Sequence, residues 1–391
     1  MHRRTLLKGA AATAVASRFV RRAAADAPLK VGISIPLTGA GFAAAGRQAT
    51  TAIKLYMQQH GDTVAGRKIE LTIRDDGGDA SVAYRSVQDM IVNDHIDIVG
   101  VGNMPTALAI APLVTQAKKV TLVITSSASS VMTMSPYFVR AGFILGPQAW
   151  ILAEWAAKNG SKRVVTLVNG GASGIEAETA FATRFKQVGG EIIQSIRIPV
   201  ASPDCGPLLQ RVADLKPDTA FIHVPGPQVS ALAKQFAERG LAESGIRMIG
   251  PGDLTDDDDL NDMGDRMLGM ITAGPYSASH DSPLNNAYVA AMVRAGGFRP
   301  DFVSLGGYDG MHLIYEALKK TDGKSDGDAL IAAMKGMAWE SPRGRISIDP
   351  STRDIVGNIY IRKVEKLNGQ LWNTEFQTYP NVKDPTKAVS K

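Results

Sequence analysis

From Leu29 onward, short apolar runs alternate with longer amphipathic stretches, a pattern that predicts strands separated by helices. Lys30–Pro36 reads as a strand and Thr38–Gly46 as a glycine- and alanine-rich loop. Ala49, Ala52, Ile53 and Tyr56 then recur at helical spacing. Lys68–Arg74 is the next strand. Asp79 stands as the cap of a helix carrying Ala83, Val87, Met90 and Ile91, and Asp97–Val101 is a third strand. A helix over Ala107–Lys118 leads into Thr121–Ser130, the stretch around which the chain is organised. Leu122, Val123 and Ile124 suit a strand buried on both faces. The run then breaks into Thr125, Ser126, Ser127, Ser129 and Ser130, whose hydroxyls both donate and accept hydrogen bonds.

The rhythm restarts after Phe143. Helices are predicted over Gln148–Asn159, Glu176–Val188 and Val229–Arg239. Strands are predicted over Val164–Val168, Glu191–Ile198, Thr219–Val224 and Arg247–Ile249. Further helices fall near Pro283–Arg294, Val303–Lys320 and Asp328–Met337, and strand-like segments at Ile346–Ile348 and Ile359–Val364 close the chain. The fold class is therefore α/β, with two doubly wound parallel-sheet lobes. The elements after the second block imply that the chain returns to the first lobe and then crosses once more. Ligands of open α/β sheets sit beyond the carboxyl ends of the strands, where small hydroxyl side chains and free N–H groups suit a carboxylate.

The net charge of +5 changes meaning once the first residues are set aside. Residues 1–25 hold Arg3, Arg4, Lys8, Arg18, Arg21 and Arg22 and no acid, so the remainder carries −1. The arginine pair, the small apolar stretch Gly9–Ala16 and Ala23-Ala24-Ala25 read as a twin-arginine export signal with its cleavage site. His2 is unusual before the arginine pair, and Arg18, Arg21 and Arg22 shorten the apolar core. That core is too short to span a bilayer, which needs about 20 residues. The positive charge thus belongs to the signal, which removes the argument for a nucleic-acid partner. No later stretch is apolar enough to cross a membrane, and Cys205, the sole cysteine, leaves no internal disulfide.

No motif carries a reaction. Gly39, Gly41 and Gly46 follow the first strand, but Ala44 stands where a dinucleotide fingerprint needs glycine. Asp75–Asp79 and Asp256–Asp259 lack calcium-loop spacing and read as solvated turns and helix caps. The six histidines lack triad or ligand spacing. His223 nearly ends a predicted strand, where it either faces the cleft or serves the core. No catalytic residue, metal or cofactor is expected.

The chain resembles the type I periplasmic solute-binding proteins of branched-chain amino-acid (Leu/Ile/Val-binding) ABC importers over essentially all of residues 28–387. The resemblance rests on Val31–Gly39, Asp75-Asp76-Gly77, Ile98-Val99-Gly100, Ala107–Pro112, Ile124–Ser130 and Gln235–Leu241. It continues through Tyr308-Asp309-Gly310, Gly344 before Ile346–Ile348, and Val382–Pro385, in that order. It implies two lobes joined by three hinge crossings, residues 26–145 with 277–354 and residues 146–276 with 355–391, closing on a ligand in the cleft between them. It also implies a periplasmic protein that hands a small carboxylate-bearing solute to an inner-membrane ABC permease, or a sensing domain of the same fold that transports nothing.

In that resemblance the ligand carboxylate falls to Asn103–Thr106 and Ser127–Ser129. The candidate binding residues are Phe42, Asn103, Thr106, Ser127, Ser129, Ser173, Pro225 and Asp253. Amino-acid binders hold the ammonium with an acid and a tyrosine of the second lobe. Gly252, with Asp253 beside it, and Pro225 stand in those places. Ala45 and Ser173 replace two further tyrosines. Two expectations follow. If Asp253 reaches the cleft, an amino acid fits. If it does not, an acid without an amine fits, and the small Ala45 and Ser173 leave room for an aromatic one.

Overall fold

The computed structural model describes residues 27–39, 42–199, 204–224 and 226–387. The expected export signal over residues 1–25 and the candidate Pro225 lie outside the described residues. The first sheet is built from β1 (Leu29–Ile35), β2 (Thr63–Val64), β3 (Arg67–Asp75), β4 (Ile98–Val101), β5 (Val120–Val123) and β6 (Phe138–Arg140), in the order β2-β3-β1-β4-β5-β6. All pairs are parallel except β2 with β3. The sheet reverses direction of growth at β1, which lies between β3 and β4, and that reversal marks a switch point. Three helices connect these strands: α1 (Ala43–His60), α2 (Ala80–Val92) and α3 (Met104–Gln116). Asp79 caps α2 as its sequence position predicts, accepting from the N–H groups of Ser81 and Val82.

The second sheet starts with α4 (Leu145–Lys158), β7 (Arg163–Asn169), α5 (Ala172–Gln187), β8 (Glu191–Ile198), α6 (Gly206–Leu215), β9 (Thr219–His223), α7 (Gly226–Glu238) and β10 (Arg247–Pro251). A short α8 (Leu260–Met263) and β11 (Ile271–Gly274) follow. Its parallel part runs β8-β7-β9-β10-β11, so β7 lies between β8 and β9 and makes a second switch point. The chain then forms α9 (Pro283–Gly296), α10 (Phe302–Lys320) and α11 (Gly327–Met334). It ends in the antiparallel strands β12 (Ala338–Ser341), β13 (Gly344–Ile348), β14 (Ile355–Leu367) and β15 (Gln370–Val382), added beside β11.

Side chains sort into separate cores. One gathers Leu29–Ile144 with Met311–Leu318, Trp339, Ile346, Ile348 and Ile355. Two others run from Leu145 to Ala273 and resume at Ile359. The backbone therefore passes between cores near Ile144, between Ala273 and Tyr276, and between Ile355 and Ile359. Glycines let the first passage pack tightly. A Cβ on Gly142 would stand 2.1 Å from the Ile124 carbonyl oxygen, and one on Gly306 of α10 would stand 2.3 Å from the same atom.

Some elements differ from the sequence expectation. β6 is too short for periodicity to register, α6 follows an unpromising Cys205-Gly206-Pro207, and β15 is largely polar because little of it is covered. The run Asp256–Asp259 is a solvated turn only in part: Asp259 is exposed at the N-cap of α8, but the rest turns inward. Asp257 is 1 % exposed and accepts from Asn373 Nδ2 at 2.9 Å and from the Ala278 N–H at 3.2 Å.

Two fully buried arginines bind the first passage. Arg343 donates to the carbonyls of Ala141 and Gly142 at 2.7 Å each and pairs with buried Asp309 at 2.6 Å. Arg140 pairs with Asp354 at 2.7 Å and donates to carbonyls of the serine turn. Replacing Arg343 by Leu leaves Asp309 buried without its charge partner, which costs about 3–5 kcal/mol. The expected outcome is a clear fall in the urea midpoint of the ligand-free protein; an unchanged midpoint would refute the clamp.

Candidate functional site

The carboxyl ends of β1, β3, β4 and β5 form one wall of the site. Asp75 ends β3 and ties down the loop after β1, accepting from the Leu37 N–H at 2.8 Å and the Thr38 hydroxyl at 2.5 Å. These bonds hold its carboxyl down, with a pKa of about 2. The loop leads to Phe42, the N-cap residue of α1, whose ring is 51 % exposed. Gly46 permits the tight entry to this helix, because a Cβ there would meet the Pro36 carbonyl oxygen at 1.8 Å. Phe42 and Asn103 flank the same glycine: a Cβ on Gly78 would lie 3.5 Å from the Phe42 ring and 3.1 Å from Asn103 Nδ2.

Asn103 follows β4 and caps α3. Its Oδ1 accepts the Thr106 N–H at 3.1 Å, so its amide nitrogen points the other way. That nitrogen is buried and has no partner. Thr106, predicted to help hold a carboxylate, is engaged otherwise, its hydroxyl donating to the Asn103 carbonyl at 2.9 Å. Between β5 and β6 the serine turn is fixed from below by Arg140, which bonds the carbonyls of Ser126, Ala128 and Phe143. Ser126 Oγ is buried and unpartnered, and the half-buried Ser127 makes no side-chain hydrogen bond among the described residues. Ser129 is engaged by the protein itself. Its N–H and its hydroxyl both donate to Glu176 Oε1 of α5, at 3.0 and 2.9 Å.

The opposite wall comes from the second switch point. Asn169 ends β7, accepts the Gly171 N–H at 2.8 Å and donates to the His223 carbonyl. Ser173 sits half-buried at the start of α5. His223 ends β9, is 6 % exposed, and places Nδ1 3.3 Å from Asp253 Oδ2. Burial opposes its charge, but the Asp253 carboxylate, with Glu176 beyond it, outweighs burial and raises the His223 pKa. Asp253 itself stands in a 3-10 turn over Gly252–Thr255. Gly252 is held by Gln148 Oε1 on its N–H and by Arg362 on its carbonyl. Asp253 lines a cavity of about 440 Å³ between Ala43–Ala45, Asp301 and Val303 on one side and Ser230 and the Asp256–Met263 segment on the other. Burial, then the nearby carboxylates of Asp258 and Asp257, push Asp301 up to about 8.

The structure thus places Asn103, Ser127 and Phe42 on one wall and Ser173 and Asp253 on the other, while Thr106 and Ser129 have their hydrogen bonds elsewhere. Sequence reasoning left out Ser126, Glu176 and Arg140. Ser126 lay within the serine run. Glu176 and Arg140 carried no periodic signal, since each matters through a contact distant in sequence. Among the described residues no group of His, Cys, Asp or Glu is arranged to hold a metal, and no helix is long and apolar enough to cross a membrane.

Comparison with known proteins fits this geometry. A family model described as periplasmic binding protein matches residues 28–370. A Leu/Ile/Val-binding protein homolog 6 of Brucella abortus (strain 2308) is 36% identical over 386 residues, covering 97% of this chain and 99% of the relative. A solute-binding protein of an ABC transporter from Rhodopseudomonas palustris BisB5, solved with 3,4-dihydroxy benzoic acid, is 54% identical. It superposes with a TM-score of 0.88 over 93% of this chain and 99% of the other. Another from Rhodopseudomonas palustris HaA2, in complex with p-hydroxybenzoic acid, is 35% identical with a TM-score of 0.88, over 93% of this chain and 100% of the other.

Glu176 generates a pH-dependent expectation. Burial raises its pKa, ahead of the lowering by the Ser129 bonds. The folded protein therefore holds this proton where the unfolded chain has released it. The stability it contributes is full below the ordinary glutamate pKa and is lost as pH rises through the raised folded value. Glu176→Gln keeps an acceptor oxygen for Ser129 without that titration. Melting temperatures of the variant should fall less than wild type as pH rises from about 4 toward neutrality; parallel curves would contradict the assignment.

Proposed function

The chain belongs to the periplasmic binding protein family, and we propose that its solute is an aromatic carboxylic acid of the benzoate class. It is a substrate-binding protein of the ABC-transporter type. The observation that carries the ligand reading is that each switch point presents a buried side chain whose polar nitrogen has no hydrogen-bond partner among the described residues, Asn103 Nδ2 on one wall and His223 Nδ1 on the other. Buried polar groups are costly without partners, so paired orphans across a cleft mark where a ligand's polar ends belong.

The carboxylate is assigned to Asn103 Nδ2 with the Ser126 and Ser127 hydroxyls, neutral donors that gain strength in a closed, dry cleft. Phe42, beside Asn103, offers a ring face. Asp253 reaches the cavity, the case in which an amino acid was expected, but its carboxylate already faces His223, and that pairing favours an acid without an amine instead. The neighbours solved with dihydroxy- and hydroxybenzoic acids support the same class. Binding closes residues 26–145 with 277–354 onto residues 146–276 with 355–391, and the closed form delivers its load to an inner-membrane permease. The protein works in the periplasm and reaches it by the twin-arginine route.

Thermal melting with benzoate, 4-hydroxybenzoate and leucine tests the ligand class. A ligand at 100 times its dissociation constant adds about 2.7 kcal/mol of stability. Aromatic acids should raise the melting temperature, and Asn103→Ala should weaken them about tenfold or more. Stabilisation by leucine with none by any aromatic acid would overturn the reading. For export, replacing Arg3 and Arg4 by Lys should retain the precursor in the cytoplasm; undiminished export would exclude the twin-arginine route.

A further inference from the structure

At the second switch point two polar atoms are buried without a hydrogen-bond partner among the described residues, His223 Nδ1 and Asp253 Oδ1. Their side chains come from the carboxyl ends of adjacent parallel strands, β9 and the turn after β10, and lie together with Nδ1 3.3 Å from Oδ2. Their neighbours do not supply the missing bonds. Asn169 is engaged with Gly171 and the His223 carbonyl, and Gly252 with Gln148 and Arg362. A core histidine serving packing alone would have its ring nitrogens satisfied.

We propose that His223 and Asp253 form a subsite that reads ring hydroxyls, so that the protein selects hydroxylated aromatic acids over benzoate itself. This rests on the aromatic-acid reading above. The chemistry is a match of roles. A phenolic hydroxyl donates one proton and accepts one hydrogen bond. Its proton goes to Asp253 Oδ1, and its oxygen accepts from the His223 imidazole N–H. The geometry adds a direction. The carboxylate of a benzoate lies on the axis through the para carbon, so with the carboxylate on the Asn103 wall the para substituent faces the His223 wall. A second, adjacent hydroxyl falls within reach of the same pair. A bare C–H at that place leaves both polar atoms desolvated and unpaired, which is how a site built for a hydroxyl rejects the analogue lacking it.

Calorimetric titration of the mature protein with benzoate, 4-hydroxybenzoate and 3,4-dihydroxybenzoate tests this. Wild type should bind the hydroxylated acids about ten- to hundredfold more tightly than benzoate. Asp253→Asn and His223→Phe should each bring that ratio toward one. Asn103→Ala should weaken all three acids and keep the ratio. Because His223 is buried, the partly exposed Asp253 supplies the variant that still folds. A ratio near one in wild type, or a wild-type ratio preserved in Asp253→Asn, overturns the subsite while leaving the ligand class standing. If no aromatic acid binds wild type, the ligand class itself fails and the subsite falls with it.

Discussion

Three arginines with no exposed side-chain surface hold the irregular backbone on which everything else stands. Arg140, Arg343 and Arg362 are among the largest fully buried side chains of the protein. Each sits where the chain leaves one core for another and where carbonyl groups have no strand or helix to satisfy them. Arg140 serves Ser126, Ala128 and Phe143. Arg343 serves Ala141 and Gly142, and Arg362 serves Gly252 and Tyr276. A planar guanidinium with five donors meets several carbonyls from one buried position, which a lysine does not. Desolvating it is expensive, and Asp354 and Asp309 offset that cost for two of the three. Both walls of the cleft depend on these bonds, because the serine turn and the turn bearing Asp253 are each suspended from an arginine.

The two walls are alike in topology and unlike in charge. Asn103, Ser126 and Ser127 present neutral donors, the chemistry by which the proposed carboxylate would be held without a counter-charge. His223 and Asp253 present an imidazole beside a carboxylate that raises the imidazole's affinity for a proton. The acids bordering the adjoining cavity are pushed upward by burial and by neighbouring carboxylates, Asp256 by Asp301 and Asp257, and Asp301 by Asp258 and Asp257, so protonation relieves repulsion there.

Much of the fold was legible because hydrophobic period, caps and strand ends are local. Most of the parallel strands, Asp79 as a cap and the serine turn bearing Ser127 followed from such signals, whereas Asn103 was placed by the family resemblance. The site was legible in position and less so in detail. Thr106 and Ser129 have the right chemistry at the right place, yet their hydroxyls are taken by Asn103 and Glu176, partners that sequence spacing alone does not identify as competitors. Arg140 sat inside an apolar run and Glu176 on a helix without distinguishing neighbours. Their importance comes from contacts dozens of residues away.

The question left by the replaced tyrosines is whether an α-ammonium group has a place in this cleft. It needs a carboxylate whose charge is not already answered. Asp253 is the acid beside the expected position, and its Oδ2 lies against a histidine whose affinity for a proton that same carboxylate raises. An ammonium brought to Asp253 would therefore meet an imidazole predisposed to carry positive charge. Two like charges about 4 Å apart repel by about 4 kcal/mol at an effective dielectric of 20. Avoiding that repulsion keeps the imidazole neutral, against the bias set by Asp253 and Glu176. A hydroxyl asks for neither change, since it carries no charge and has one bond to give and one to accept. The chemistry of the second wall thus supports the proposed preference for an acid without an amine, in a chain 36% identical to a protein called a Leu/Ile/Val-binding homolog.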